Sequence, residues 1–226
     1  MSDIRFRGVR HAYGERPVLE DVDLTLSEHR IGIVGANGGG KSTLARMING
    51  LIVPSAGTVT VDDLDTARRG RQVRKKVGFV FTDPNHQIIM PTVAEDIGFS
   101  LRRTSLDKTG RADRVARVLE EFGLADHADH PTHLLSGGQK QLLALAAVIV
   151  TEPEVLVADE PTTLLDLRNT RIVAERFEQL PQQMIVVTHQ LELLDSFDRV
   201  LVVDEGRVAA DGAPSASIDF YRNLVR

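Results

Sequence analysis

The stretch Gly35-Ala36-Asn37-Gly38-Gly39-Gly40-Lys41-Ser42-Thr43 constrains this chain more than any other, because it matches the phosphate-binding pattern G-x-x-x-x-G-K-[ST] at every defining position. Ile31 to Val34 before it reads as a short buried strand. Leu44, Met47, Ile48 and Leu51 after it fall at i, i+3, i+4 and i+7, one face of a helix. Strand, loop and helix are in the order that a nucleoside triphosphate site needs. The glycines let the backbone wrap an anion without Cβ clashes, so that consecutive N–H groups and the helix N-terminus point at phosphate. Lys41 is expected to reach the β- and γ-phosphates, and Ser42 to ligate Mg²⁺.

A chain of 226 residues can bury a full core. Its net charge of -5 does not suggest nucleic acid as a main partner. The basic stretches Arg68 to Arg71 and Arg74 to Lys76 read as a solvated face. There is no cysteine, which excludes a disulfide framework and a thiolate metal site. Residues Met1 to Arg5 show no apolar signal region, and the longest apolar run, Leu142 to Val150, is too short to cross a bilayer. The expected location is the cytoplasm, with any membrane association made through a partner.

Strand patterns open the chain at Ile4 to Val9 and at Val22, Leu24 and Leu26, with the turn signal Tyr13-Gly14 between them, and continue at Thr58 to Val61 and Val77 to Phe81. From Asp83 to about Ala147 the periodicity is helical, with Val115, Val118, Leu119 and Phe122 ended by Gly123 as a C-terminal cap. The apolar runs Val155 to Ala158 and Met184 to Val187 then read as parallel strands buried on both faces, with the helical pattern Val173, Phe177, Leu180 between them. Val200 to Val203 and Val208 to Ala210 form a hairpin. The expected fold is α/β: one domain over 1–226, with a wound phosphate-loop core and N-terminal antiparallel β region in 1–82 and 148–226, and a helical insertion over 83–147.

Asp159-Glu160 closes a buried strand, where two carboxylates have no packing purpose. Asp159 suits a metal carboxylate and Glu160 the group that polarises attacking water. Leu135-Ser136-Gly137-Gly138-Gln139 precedes the apolar helix, so these residues offer either a second phosphate-binding N-terminus or an ordinary cap by Ser136.

With these motifs the chain resembles the ABC-type ATPase subunits, whose signature is LSGGQ, from Tyr13 to Gly212 in the family's order. The resemblance implies ATP and Mg²⁺ as ligands and ATP hydrolysis as the reaction. It implies a head-to-tail pair with a second ATPase subunit, in which Ser136 to Gln139 act across the interface. It places Tyr13 as an adenine platform, although a tyrosine in a β region is also commonly core. His189 matches the switch histidine that donates to the γ-phosphate, and Asp166 the D-loop residue at the interface. Leu164 stands where the family has glycine. Thr82 stands where it has the glutamine that approaches Mg²⁺ and the attacking water; Gln87 is either a substitute for that glutamine or a surface residue.

The length, with no coiled-coil insertion and no second copy, fits a transporter energiser at the inner face of the cell membrane, bound to an integral membrane component. Val80 to Gln87 and Pro91 to Ile97 resemble the ATPases of energy-coupling-factor importers of vitamins and metals, and Thr82 with Thr162 to Asp166 the biotin-importer member. An importer for another cargo, such as cobalt or nickel, is the nearest alternative. A soluble kinase or GTPase is a third reading, but a guanine-reading N-K-x-D is absent and a kinase has no use for LSGGQ; a soluble regulator that dimerises on ATP is a fourth.

Overall fold

The computed structural model describes residues 1–226, which divide into two compact units: Met1–Phe79 with Glu154–Glu160 and Gln182–Arg226, and Val80–Pro153 with Pro161–Pro181. The first unit begins with a long antiparallel hairpin, β1 (Ile4–Tyr13) and β2 (Arg16–Leu26), turning at Gly14. Then come β3 (Arg30–Val34), α1 (Lys41–Ile48), β4 (Ala56–Val61), β5 (Leu64–Asp65), α2 (Gly70–Lys76) and β6 (Val77–Val80). After the second unit has intervened, β7 (Val155–Asp159), β8 (Gln183–Val187), β9 (Arg199–Asp204), β10 (Arg207–Gly212) and α7 (Pro214–Leu224) complete it.

These strands make two sheets, a four-stranded one ordered β2-β1-β4-β5 and a six-stranded one ordered β10-β9-β3-β8-β7-β6. In the first, inward residues such as Ile4, Phe6 and Val9 are buried, and the pairing of β1 with β2 shifts register between Phe6 and Ala12. In the second, β9, β3, β8 and β7 run parallel, with Gly32 opposite Val186 on one side and Val200 on the other. Every residue of β7 and β8 is buried, which is why both read as unbroken apolar runs. The β9–β10 hairpin turns through Glu205 and Gly206, both at positive φ, which matches the twist of the flanking strands.

Helix α1 stops at Ile48, earlier than the periodicity suggests. Gly50 takes a left-handed conformation just beyond it, and Leu51, expected on the buried face, is 44% exposed. The basic run is the exposed face and last turn of α2, where cations suit the helix dipole; Lys76 also pairs with Asp62 at 2.8 Å and Glu154 at 3.1 Å.

The second unit holds α3 (Val93–Ser100), α4 (Lys108–Glu121), α5 (Gly137–Ile149) and α6 (Leu167–Gln179). Gly123 ends α4 as the sequence suggests: it has φ 65, and the Leu124 N–H reaches back to the Leu119 carbonyl at 2.7 Å. The helical unit is larger than the span 83–147, since α5 runs past Ala147 and α6, expected beside the core strands, belongs to it. Composition marks where helices begin, but which neighbours a helix packs on is a tertiary matter. No helix of the chain is long and apolar enough to cross a membrane.

Strand β3, which delivers the phosphate loop, rests on a cluster of Val34, Leu194, Val200, Val202 and Ile218. Leu194 is fully buried, and its methyl groups lie where any Cβ on Gly32 would go. Leu194→Ala is therefore expected to cost about 2–5 kcal/mol, read as a lower urea midpoint at unchanged slope.

Candidate active site

Gly35 leaves β3 with φ 147, and a Cβ there would lie 1.9 Å from the Val203 carbonyl oxygen. Gly40 has φ 104, and a Cβ on it would lie 2.7 Å from the Val18 carbonyl oxygen. The loop is thus wedged between the backbones of β9 and β2, where no side chain fits. Gly40 is also the N-cap of α1, and having no side chain it leaves the first N–H groups of the helix for an anion.

Lys41 Nζ donates to the carbonyls of Gly35 at 2.8 Å and Ala36 at 2.9 Å, which leaves one of its three donors for a ligand. Burial lowers its pKa, and the charges of Glu160 and Asp159 counter that. A cavity of about 370 Å³ opens over the loop, lined by Tyr13, Arg16, Val18, Asn37, Gly38, Gly40, Lys41, Ser42, Thr43 and Glu160. Its size is in the usual range of small-molecule sites. Tyr13 is 53% exposed at the end of β1, so it is not a core residue; its ring meets His11 edge-on at 4.8 Å.

The acidic pair comes to the same loop. Ser42 Oγ donates to Asp159 Oδ1 at 2.7 Å, and Arg46 Nη2 donates to Oδ2 at 2.9 Å. A hydroxyl beside a carboxylate is the hard-oxygen donor set that suits Mg²⁺, whose other ligands come from phosphate and water. Glu160 sits at φ 52, a strained conformation for a residue with a side chain, held by its N–H on the Val187 carbonyl at 2.9 Å. Its Oε2 lies 2.7 Å from His189 Nδ1. A carboxylate only accepts, so Nδ1 carries the proton, and Nε2 can also donate only when the ring is an imidazolium.

Arg16 and Arg46 were not legible as site residues in the sequence. Arg16 Nη2 is 3.6 Å from where a Cβ on Gly38 would stand. For Arg46 the available signal was its place four residues after Ser42, one helical turn along the same face.

The remaining candidates belong to the second unit. Ser136 is the N-cap of α5 in a capping box: its hydroxyl accepts from the Gln139 N–H, and Gln139 Oε1 accepts from the Ser136 N–H at 2.9 Å. The amide end of Gln139 is 2.9 Å from His127 Nε2, and His127 Nδ1 is 2.6 Å from His130 Nδ1. Gly137 has open space around it, whereas a Cβ on Gly138 would lie 2.1 Å from Asn169 Oδ1. The Asn169 N–H in turn donates to Asp166, the N-cap of α6, at 2.8 Å. Asn169 therefore ties the signature glycine to the D-loop aspartate.

Leu164 is 62% exposed with no positive φ, so its loop does not require the glycine it replaces. Thr82 follows β6 ahead of a short 3-10 turn capped by Asp83. Gln87 is more than a plain surface residue. Its Oε1 accepts from the Phe81 N–H at 3.3 Å and its Nε2 donates to the Ala144 carbonyl at 2.9 Å, so the amide is occupied in holding the loop to α5.

A glycine-rich loop opening a helix, facing an acidic pair at the end of a parallel strand separated from the loop's own by β8, defines a P-loop nucleotide hydrolase. Residues 19–163 match the ABC transporter family, and the chain belongs to it as an ATP-hydrolysing subunit. A Deinococcus radiodurans protein provisionally named an ABC transporter ATP-binding protein is 53% identical over 219 residues, 97% of each chain. The biotin transport ATP-binding protein BioM of Rhizobium etli is 45% identical over 222 residues, 98% of this chain and 99% of its own. Among solved structures, cbiO1 of Clostridium perfringens, described as part of the ABC transporter complex cbiONQ, superposes with a TM-score of 0.85 at 30% identity, covering 99% of this chain and 92% of that one.

The two signature glycines should separate in a thermal melt. Gly138→Ala is expected to lower the midpoint by roughly 3–8 °C through its clash with Asn169, and Gly137→Ala to leave it within about 1 °C.

Proposed function

We propose that the chain is the ATP-hydrolysing energy-coupling subunit of a membrane importer of the energy-coupling-factor type, with biotin or another vitamin as its cargo. The observation that carries the catalytic part is the convergence of Lys41, Ser42, Asp159, Glu160 and His189 on one loop within one compact unit. The loop N–H groups and Lys41 hold the β- and γ-phosphates, and Tyr13 offers its ring face to adenine. Ser42 and Asp159 would hold Mg²⁺, with Thr82 as a further candidate for holding it. When bound, the ion neutralises phosphate charge. Glu160 accepts the proton of the attacking water on its other carboxylate oxygen, and His189, its Nδ1–H held by Glu160 Oε2, donates from Nε2 to the γ-phosphate in its imidazolium form as the P–O bond to ADP breaks.

Ser136, Gly137, Gly138, Gln139 and Asp166 act on the nucleotide of a second ATPase subunit, identical or related, so that ATP closes the pair and hydrolysis opens it. The open space at Gly137 supports this reading, because glycine there is not needed by the chain's own packing. An integral membrane component receives the motion, which places the subunit at the cytoplasmic face of the membrane. The similarity to a biotin transport protein, together with Thr82 and the run Thr162 to Asp166, supports biotin over other cargoes.

Glu160→Gln should keep ATP binding and lose turnover by 100-fold or more, on the order of the contribution of a general base, with ATP-bound dimers trapped on gel filtration. Wild-type hydrolysis would refute the assignment. Ser136→Arg should leave ATP binding by the monomer intact while stopping hydrolysis by the pair. Purification from detergent extracts should bring an integral membrane protein along, and Lys41→Ala should abolish uptake of labelled biotin; uptake at the wild-type level would rule out that cargo.

A further inference from the structure

Asp159 is fully buried, so its charge must be neutralised by something within the chain whenever no metal is present. Both carboxylate oxygens are contacted by one turn of α1: Oδ1 by the Ser42 hydroxyl at 2.7 Å and Oδ2 by Arg46 Nη2 at 2.9 Å. The partners of that ion pair are unequally anchored. The side chain of Asp159 is 1% exposed and that of Arg46 is 38% exposed. The contact is end-on through one nitrogen, and Arg46 Nε is buried with no hydrogen-bond partner. A bidentate guanidinium would be hard to displace, but this one is held at one point and faces water on its other side.

We propose that Arg46 is the resident counter-ion of Asp159: it neutralises the carboxylate when no divalent cation is bound and yields to the cation when one arrives. Its charge thereby sets how much Mg²⁺ the site requires. The inference rests on the reading of Asp159 as the metal carboxylate. Two cations close to one carboxylate repel each other, so every ion that binds must displace or push back the guanidinium. Removing the arginine charge should consequently weaken the metal-free chain and strengthen metal binding. A residue that only props the carboxylate in place would, when removed, weaken both.

The test uses the full chain with Glu160→Gln, so that nucleotide is not consumed, and measures the thermal midpoint and the Mg²⁺ dependence of fluorescent ATP binding. In EDTA, Arg46→Met should lower the midpoint by roughly 3–8 °C. With saturating Mg²⁺ and ATP, less than about half of that loss should remain, and the half-saturating Mg²⁺ concentration should fall roughly 3- to 10-fold. Arg46→Lys, which keeps the charge, should keep the parent Mg²⁺ requirement. Arg46→Gln, which keeps a donor without the charge, should shift it as Arg46→Met does, so the result stands even if the methionine variant folds poorly. Equal midpoint losses with and without Mg²⁺ and ATP, or a Mg²⁺ requirement unchanged or raised in the neutral variants, would overturn the proposal. Asp159→Asn separates the two readings: if it leaves the Mg²⁺ requirement unaltered, the metal assignment fails, and if it raises the requirement while the Arg46 variants do nothing, only the role given to Arg46 fails.

Discussion

A carboxylate at the end of a fully buried strand is the constraint on which the site depends. Asp159 could not remain ionised there without partners, because removing a carboxylate from water costs several kcal/mol. Ser42 and Arg46, which bond its two oxygens, both come from α1, so the helix must begin where the phosphate loop ends and lie against β7. That requirement passes back to the loop, which must turn from β3 into α1 in a few residues between the carbonyls of Val203 and Val18. Glycine at Gly35 and Gly40 is the solution to that close approach as much as to phosphate binding. The same backbone economy appears at Glu160, which accepts a left-handed conformation and is held there from β8.

The second unit follows a different logic. Its signature segment is built by side chains bonding to neighbouring backbone and to each other, through the Ser136 and Gln139 capping box, the contact of Gln139 with His127, and Asn169 between Gly138 and Asp166. Asn169, packed close to Gly138 and bonded to Asp166, brings the two segments together at one side chain. Helix capping and phosphate binding are not rivals at Ser136. A cap orders the first turn, and an ordered first turn presents its remaining N–H groups in a fixed direction.

The departures from the family pattern have separate physical meanings. At Leu164 the backbone has no need of glycine, so the substitution adds an exposed apolar side chain to the loop without strain. Near Thr82, both ends of the Gln87 amide serve the fold of their own loop. Whatever chemistry position 82 supports is carried by a shorter side chain than glutamine, and Gln87 fastens the loop to α5.

Much of this was legible in the sequence because it is local. The phosphate loop, the capping signals at Ser136 and Gly123 and the buried runs Val155 to Ala158 and Met184 to Val187 each depend on neighbours a few residues away, where turn chemistry and periodicity act. The acidic pair stood out because it follows a buried apolar run in a chain that also carries a phosphate loop, since an acidic pair alone also occurs at ordinary strand-to-loop junctions. What lay beyond reach was every choice made across long sequence distance: that Arg46 meets Asp159, that Arg16 lines the cavity, that Gly138 is pressed against Asn169, and that α6 joins the helical unit. Periodicity even misplaced Leu51, since a helix ends where its cap and packing end it and not where the apolar spacing runs out. The sequence by itself determined the type of loop, the strand and helix order and the candidates for the reacting groups, because these are written in spacing; only the tertiary structure decided the partners of each charge, because a charge is neutralised by what is near it in space.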